Sequence, residues 1–198
     1  MTSEPNAPGP TTGAASEPPW VNAQPRHLVE RFVLGPELGR GGMGRVHLGW
    51  DPMLRRMVAI KLLLGDDPEL HLRLLREARN QAKIEHPNIC RIHDLGMSEA
   101  RPYIAMQLIL GSSLSELRPE LDHREIAELL ADIAGAVHAA HKVGLIHRDL
   151  KPANILVTGR GLGRKPGSAE KDLLASGGIP RLGRLKPYVV DFGLARDL

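Results

Sequence analysis

Apolar residues recur along this chain with two different periods, and the switches between them outline its elements. Phe32-Val33-Leu34-Gly35-Pro36-Glu37-Leu38 reads as a strand running into a glycine-rich stretch, and Arg45-Val46-His47-Leu48-Gly49-Trp50 leaves that stretch with the alternation of a half-buried strand. Val58-Ala59-Ile60-Lys61 is a short apolar strand with one lysine inside it, and Ile89 to Leu95 and Tyr103 to Leu108 read as two more strands around a turn at 98–102. Between them the period lengthens. Leu70, Leu74, Leu75, Ala78 and Ala82 recur at helical spacing, behind Asp67 as cap and Pro68 at the first helical position, and His86-Pro87-Asn88 ends the run. Ile126, Leu129, Leu130, Ile133, Val137 and Ala140 line one face of a longer helix, which Asp122-His123-Arg124-Glu125 opens in the manner of a capping box. Leu156-Val157 and Tyr188-Val189-Val190 read as short strands.

Two stretches carry no such period. Residues 1–26 hold six prolines among Gly, Ser, Thr and Ala, and bury too little apolar surface to offset the entropy of ordering them. They are expected to form a disordered arm. Residues 158–187 hold seven glycines, three prolines, seven Lys/Arg and two acids, which predicts a flexible surface insertion. Its basic excess is a candidate for an acidic partner, but no aromatic residue is interleaved with the charges before Tyr188, so nucleic acid is not expected.

Composition adds limits. Aromatics make up only 3% of the chain, so the core falls to Leu, Ile, Val and Ala. The net charge of +3 is too small to argue for nucleic acid without a localised patch. Cys90 is the single cysteine and forms no internal disulfide, which fits a reducing, cytoplasmic setting. No apolar run approaches the ~20 residues of a membrane helix, and the N-terminus lacks a basic start followed by an apolar stretch. His138 and His141 lie three apart without a carboxylate partner, a poor pattern for a metal site.

The chemistry-bearing residues come in clusters. Gly39-Arg40-Gly41-Gly42-Met43-Gly44-Arg45-Val46 contains G-x-G-x-x-G-x-V, and Val58-Ala59-Ile60-Lys61 follows. The glycine pattern is weak by itself, since dinucleotide folds use it, but those need a helix after the glycines and this chain offers a strand. Ile146-His147-Arg148-Asp149-Leu150-Lys151-Pro152-Ala153-Asn154 contains H-R-D-x-x-x-x-N, and Asp191-Phe192-Gly193 closes the series. An H-R-D triplet alone would often be a helix end and a polar turn. In this order, and with Glu77 on the intervening helix, the motifs resemble those of protein kinases over residues 27–198. Lys-Pro after H-R-D-L is similar to the serine/threonine kinases, and the glycine hairpin with His86-Pro87-Asn88-Ile89 is similar to the eukaryotic-like kinases of bacteria.

The resemblance implies an α+β, bilobal fold. A small lobe over 27–110 has an antiparallel sheet and one helix, and a mainly helical large lobe, partial here, occupies 111–198. It implies ATP and Mg2+ as cofactors and a protein with a Ser or Thr acceptor as partner. Asp149 would orient the acceptor hydroxyl and take its proton, and Lys151 would steady the transferring phosphate. Asn154 and Asp191 would hold the metal. Lys61 would hold phosphate oxygens while pairing with Glu77. Gly39, Gly41, Gly44 and Val46 would cover the phosphates. Ala59, Met106 and Leu156 would border the adenine, whose edge would bond the backbone of Gln107 and Ile109. For Met106, ordinary core packing is an equal reading. Gln81 stands where these kinases usually place a small or apolar side chain.

The chain departs from the family at its end. Five residues follow D-F-G, and the activation segment and A-P-E motif are not among them. The 198 residues alone are therefore expected to be an inefficient kinase, and a non-catalytic nucleotide-binding or interaction module is the alternative.

Overall fold

The strands predicted from alternation assemble into two antiparallel sheets. The computed structural model describes residues 17–22, 28–41, 44–65, 67–98, 101–159 and 184–192. β1 (Leu28–Val29), β2 (Phe32–Gly41), β3 (Gly44–Asp51), β4 (Arg56–Leu63), β5 (Ile92–Ser98) and β6 (Arg101–Gln107) form one sheet in the order β1-β2-β3-β4-β6-β5. β7 (Ser112–Ser113), β8 (Ile155–Thr158) and β9 (Lys186–Val189) form the second, in that order.

Period-2 alternation sorts β4 between two cores. Val58 and Ile60 pack with Phe32, Tyr103 and Ala105 on one face. Leu63, on the other, meets Leu74 and Ala78 of α1 (Pro68–Gln81) together with Ile104. Lys61 has the parity of Leu63, so it lies on the α1 side. α1 begins as its sequence dictates: the Asp67 carboxylate accepts from the Glu69 and Leu70 amides, and Pro68 gives up an N–H that has no helical partner in any case. Leu74 is 2% exposed, and its truncation to Ala would cost about 2–5 kcal/mol.

The second core gathers α3 (His123–Lys142) and the small sheet. Leu129, Ile133, Ala136 and Ala140 pack with Ile155, Val157, Val189 and Phe192. The capping box at Asp122 is formed in both directions with Glu125, and Gly144 at φ +76 follows the helix end. Leu130, placed on the apolar face by spacing, is 53% exposed, and Ala136 takes an inward position instead. The short α2 (Leu114–Leu117), capped by Ser113 and Glu116, covers the same core through Leu114 and Leu117.

The His86-Pro87-Asn88 turn joins the two sheets. Asn88 O accepts from the Val189 amide at 2.8 Å and the Cys90 amide donates to Val189 O at 3.0 Å. The Asn88 side chain adds a bond to Pro187 O at 2.9 Å. β9 is thus pinned to the small lobe as well as to β8.

Two sequence expectations need correction. The N-terminal arm is not wholly unstructured: Pro19–Asn22 forms a 3-10 turn whose Val21 is 2% exposed. Apolar residues hidden among the prolines, Trp20 and Val21, find a patch on the sheet to cover. Residues 1–16 and 23–26 lie outside the described residues. The insertion is also shorter than 158–187. Thr158 pairs with Lys186 at the end of the β8–β9 hairpin, and Arg184 lies 3.4 Å from Asp132 and 3.8 Å from Glu128 on α3. Residues 160–183 lie outside the described residues. Among the described residues no helix is long and apolar enough to cross a membrane.

Candidate active site

The site is assembled where the ends of α3, β8, β9 and β4 converge. His147 fixes its frame. Its ring is 3% exposed and lies 4.6 Å from the Phe192 ring. Nε2 is 2.9 Å from Val190 O, so the proton sits there and is donated to that carbonyl. Nδ1 is left as an acceptor for the Asp149 amide at 3.4 Å, and that amide also donates to His147 O at 2.8 Å. One buried imidazole therefore ties the loop carrying Asp149 to the residue preceding Asp191. Arg148 turns the corner between them at φ +64, a left-handed conformation that costs a non-glycine residue about 1–2 kcal/mol.

Asp149, Lys151 and Asn154 form one network. Lys151 Nζ is 2.8 Å from Asp149 Oδ2. Asn154 Nδ2 donates to the Asp149 carbonyl at 2.8 Å and to its Oδ2 at 3.0 Å. The Asn154 carbonyl in turn accepts from the Val190 amide at 3.0 Å. The hydrogen bond from Lys151, aided by that from Asn154 and the proximity of His147, holds the Asp149 carboxyl below the usual carboxylate range. Asp149 is thus ionised at neutral pH and better suited to orienting a hydroxyl than to holding its proton.

Lys61 and Glu77 depart from the expected pairing. Lys61 Nζ bonds Asp191 Oδ1 at 2.8 Å. Glu77 Oε1 lies 3.5 Å from Arg148 Nη1, and its buried Oε2 has no hydrogen-bond partner among the described residues. Burial raises the Glu77 pKa, against the pull of Arg148 and Arg73. The physical reason is that the Lys61 ammonium, 6% exposed, needs an anion, and Asp191 supplies it while Arg148 draws Glu77. Asp191 itself sits at φ +58.

The glycine hairpin divides its labour. A Cβ at Gly44 would meet the Leu62 carbonyl at 2.5 Å, so this glycine lets β3 cross β4 closely. Gly39 and Gly41 face open space within 4 Å, leaving backbone exposed to whatever the hairpin covers. Residues 42–43 and Gly193 lie outside the described residues. Val46 pairs with Lys61 across β3–β4, and Ala59 pairs with Met106 across β4–β6, which places these four in adjoining rows. Met106 packs at the edge of the core under α1. At the hinge, the Gln107 amide donates to Arg91 O at 2.8 Å, and its carbonyl accepts a long bond from Cys90 Sγ at 3.7 Å, with a second lone pair left for a ligand. Leu156 lies half-buried on β8 opposite Ser113 and Tyr188. Gln81 proves to be tied down: Nε2 donates to the Cys90 carbonyl at 3.0 Å inside the core. Sequence reasoning assigned no role to His147 or Arg148. Their presence in the H-R-D motif was the available signal, but only the fold reveals what each one holds.

The two-sheet architecture, the hairpin and the Asp149–Asn154–Asp191 frame define the class: the chain belongs to the protein kinase family. The family model described as the protein kinase domain matches residues 32–198. Among curated proteins, the serine/threonine-protein kinase PknB of Mycobacterium leprae is 40% identical over 144 residues, which cover 68% of this chain and 23% of that protein. A probable serine/threonine-protein kinase of Streptomyces coelicolor is 40% identical over 186 residues, covering 88% and 24%. The chain therefore spans about a quarter of these relatives. Among solved structures, a double mutant of the Mycobacterium tuberculosis PknI kinase domain superposes with a TM-score of 0.65 at 26% identity, covering 84% of this chain and 62% of that one.

Proposed function

We propose that the chain is the N-terminal part of a catalytic domain that transfers the γ-phosphate of ATP to serine or threonine hydroxyls of a protein. The observation that carries this reading is the His147 frame, which holds the Asp149 amide and the Val190 carbonyl, next to Asp191, to one buried ring at 3.4 and 2.9 Å. Phosphoryl transfer is mostly positioning and charge stabilisation, and a rigid frame of this kind supplies both.

Asp191 and Asn154 are the residues suited to magnesium. They offer a carboxylate and an amide oxygen, the hard donors this ion takes, and the Asn154 nitrogen is already spent on Asp149. Bound magnesium would neutralise charge on the phosphates. Lys61, which now bonds Asp191, would serve phosphate oxygens. Glu77, whose buried Oε2 has no hydrogen-bond partner among the described residues, is the natural second partner for Lys61 in that state. Asp149 accepts the hydroxyl of the protein substrate, and Lys151 stays within reach of both. The glycine hairpin closes over the nucleotide, and the Gln107 carbonyl and Ile109 amide meet its base.

The test is transfer of labelled γ-phosphate to a generic basic protein by a version of the protein extended through the full kinase domain. Phosphoserine or phosphothreonine is the expected product, and Asp149→Asn should lower its rate at least ~100-fold. Undiminished transfer by that variant would overturn the assignment of Asp149.

A further inference from the structure

The 3-10 turn at Pro19–Asn22 sits at a place with consequences for the nucleotide. Val33, Trp50 and Met57 are successive cross-strand partners, a row running over β2, β3 and β4. Trp20 and Val21 pack on that row, in one cluster with it. The turn is closed by the Val21 amide donating to Pro18 O at 3.0 Å, and two adjacent prolines reduce the freedom it must lose. From there the Trp20 indole reaches Gly35. A Cβ at Gly35 would lie 2.9 Å from ring atoms Cη2 and Cζ2, so this glycine exists in contact with that ring.

The β2–β3 register slips twice, between Leu34 and Glu37 and again between Glu37 and Gly39, and Gly35 lies in the first slip. Leu34 pairs with Gly49, but the next pair is Glu37 with His47, so β2 carries an extra residue there. Pro36 has no N–H to contribute to the ladder, which accounts for the bulge. The strand is held at this point by other means: His47 Nδ1 lies 3.1 Å from Gly35 O on one side, and the Trp20 ring covers Gly35. Beyond the bulge the same strand runs on to Gly39 and Gly41, four and six residues away. A bulged strand twists more freely than a laddered one, so both slips, the first of them rooted at Gly35, bear on the angle of the hairpin.

We infer that Trp20 is a positioning residue for nucleotide binding: it clamps the β2 bulge at Gly35 and thereby holds the glycine hairpin in the orientation that covers the phosphates. The inference rests on the reading of the cleft as a nucleotide site. Its magnitude follows from population. If loss of the clamp leaves the hairpin correctly placed about one-fifth of the time, apparent affinity falls about fivefold.

The experiment is calorimetric titration of the 198-residue chain with Mg·ADP, alongside its melting temperature. Trp20→Ala should weaken binding about fivefold, and Trp20→Phe, which keeps a ring over Gly35, should stay within about twofold of wild type. Gly35→Ala, which drives the ring away while leaving it in the chain, should reproduce the Trp20→Ala loss, and it serves if Trp20→Ala does not fold. A purely structural role would lower the melting temperature and leave the affinity of the folded protein unchanged; that result in Trp20→Ala, or in Gly35→Ala where the former is unfolded, overturns the inference. A wild-type chain that binds no Mg·ADP instead overturns the nucleotide reading, and the inference with it.

Discussion

Replacing Lys61 with methionine separates what the lysine does for the fold from what it does for the ligand. The side chain rises from a central strand, paired with Val46 on one side and Ile104 on the other, and its ammonium is 6% exposed. Methionine keeps the length and the apolar stem and removes only the charge. Breaking a fully buried ion pair by deleting one partner costs about 3–5 kcal/mol, mainly for the charge left behind. Here that charge is Asp191, which is 35% exposed and resolvates, so the loss should be about 1–2 kcal/mol. The relief of no longer burying an ammonium offsets part of that. At about 2–4 °C per kcal/mol for a domain of this size, the melting temperature should fall by no more than ~8 °C. Mg·ATP affinity should fall at least ~10-fold, because a charge-assisted contact to phosphate, worth about 1.5–3 kcal/mol, is gone. Thermal denaturation and titration with a fluorescent ATP analogue read the two effects separately. Unchanged affinity would show that Lys61 does not reach the phosphates. Collapse of the fold would show that the Lys61–Asp191 bond is a structural keystone rather than a resting arrangement.

Three other perturbations test neighbouring claims. Glu77 has a pKa raised by burial, so its contribution to stability is fully present below the ordinary value of 4.5 and is lost as pH rises through the raised one; the melting temperature of Glu77→Gln should therefore gain on wild type as pH increases through that window, and parallel curves would contradict the burial argument. Gln81→Leu removes a buried bond and strands the Cys90 carbonyl, which should cost about 1–3 kcal/mol in denaturant unfolding; a gain in stability would mean that the core prefers an apolar side chain there. Replacing residues 160–183 with a two-residue Asn-Gly turn should leave the melting temperature nearly unchanged, since each doubling of a flexible loop costs only ~0.6 kcal/mol; a large loss would show that those residues pack.

Much of the fold was legible because its local signals agree. Asp67-Pro68 and Asp122…Glu125 announce both helices, and alternation through Val58-Ala59-Ile60-Lys61 assigns Lys61 to the α1 side. The residues of the candidate site were legible as motifs, and the fold brings Lys61, Asp149, Lys151, Asn154 and Asp191 together. What motifs do not encode is the choice among partners. The motifs offer Lys61 two carboxylates, Glu77 and Asp191, and it is packing in three dimensions that gives it Asp191 and gives Glu77 to Arg148. The arm failed for a different reason. Composition over 26 residues averages away one Trp-Val pair, and two apolar side chains suffice when a matching row of Val33, Trp50 and Met57 waits on the sheet. Gln81 likewise looked misplaced only because its acceptor, the Cys90 carbonyl, lies nine residues off and is set by the turn between them.

The most direct test of the account is the magnesium dependence of nucleotide binding. Non-hydrolysable ATP analogue is titrated calorimetrically into the 198-residue chain with and without Mg2+, and into Asp191→Asn under both conditions. If Asp191 exchanges Lys61 for a metal as the nucleotide arrives, wild type binds at least ~10-fold more tightly with Mg2+, and the variant loses that increment while still folding. Equal affinity with and without the ion, or a full magnesium effect in Asp191→Asn, would contradict the assignment of this cleft.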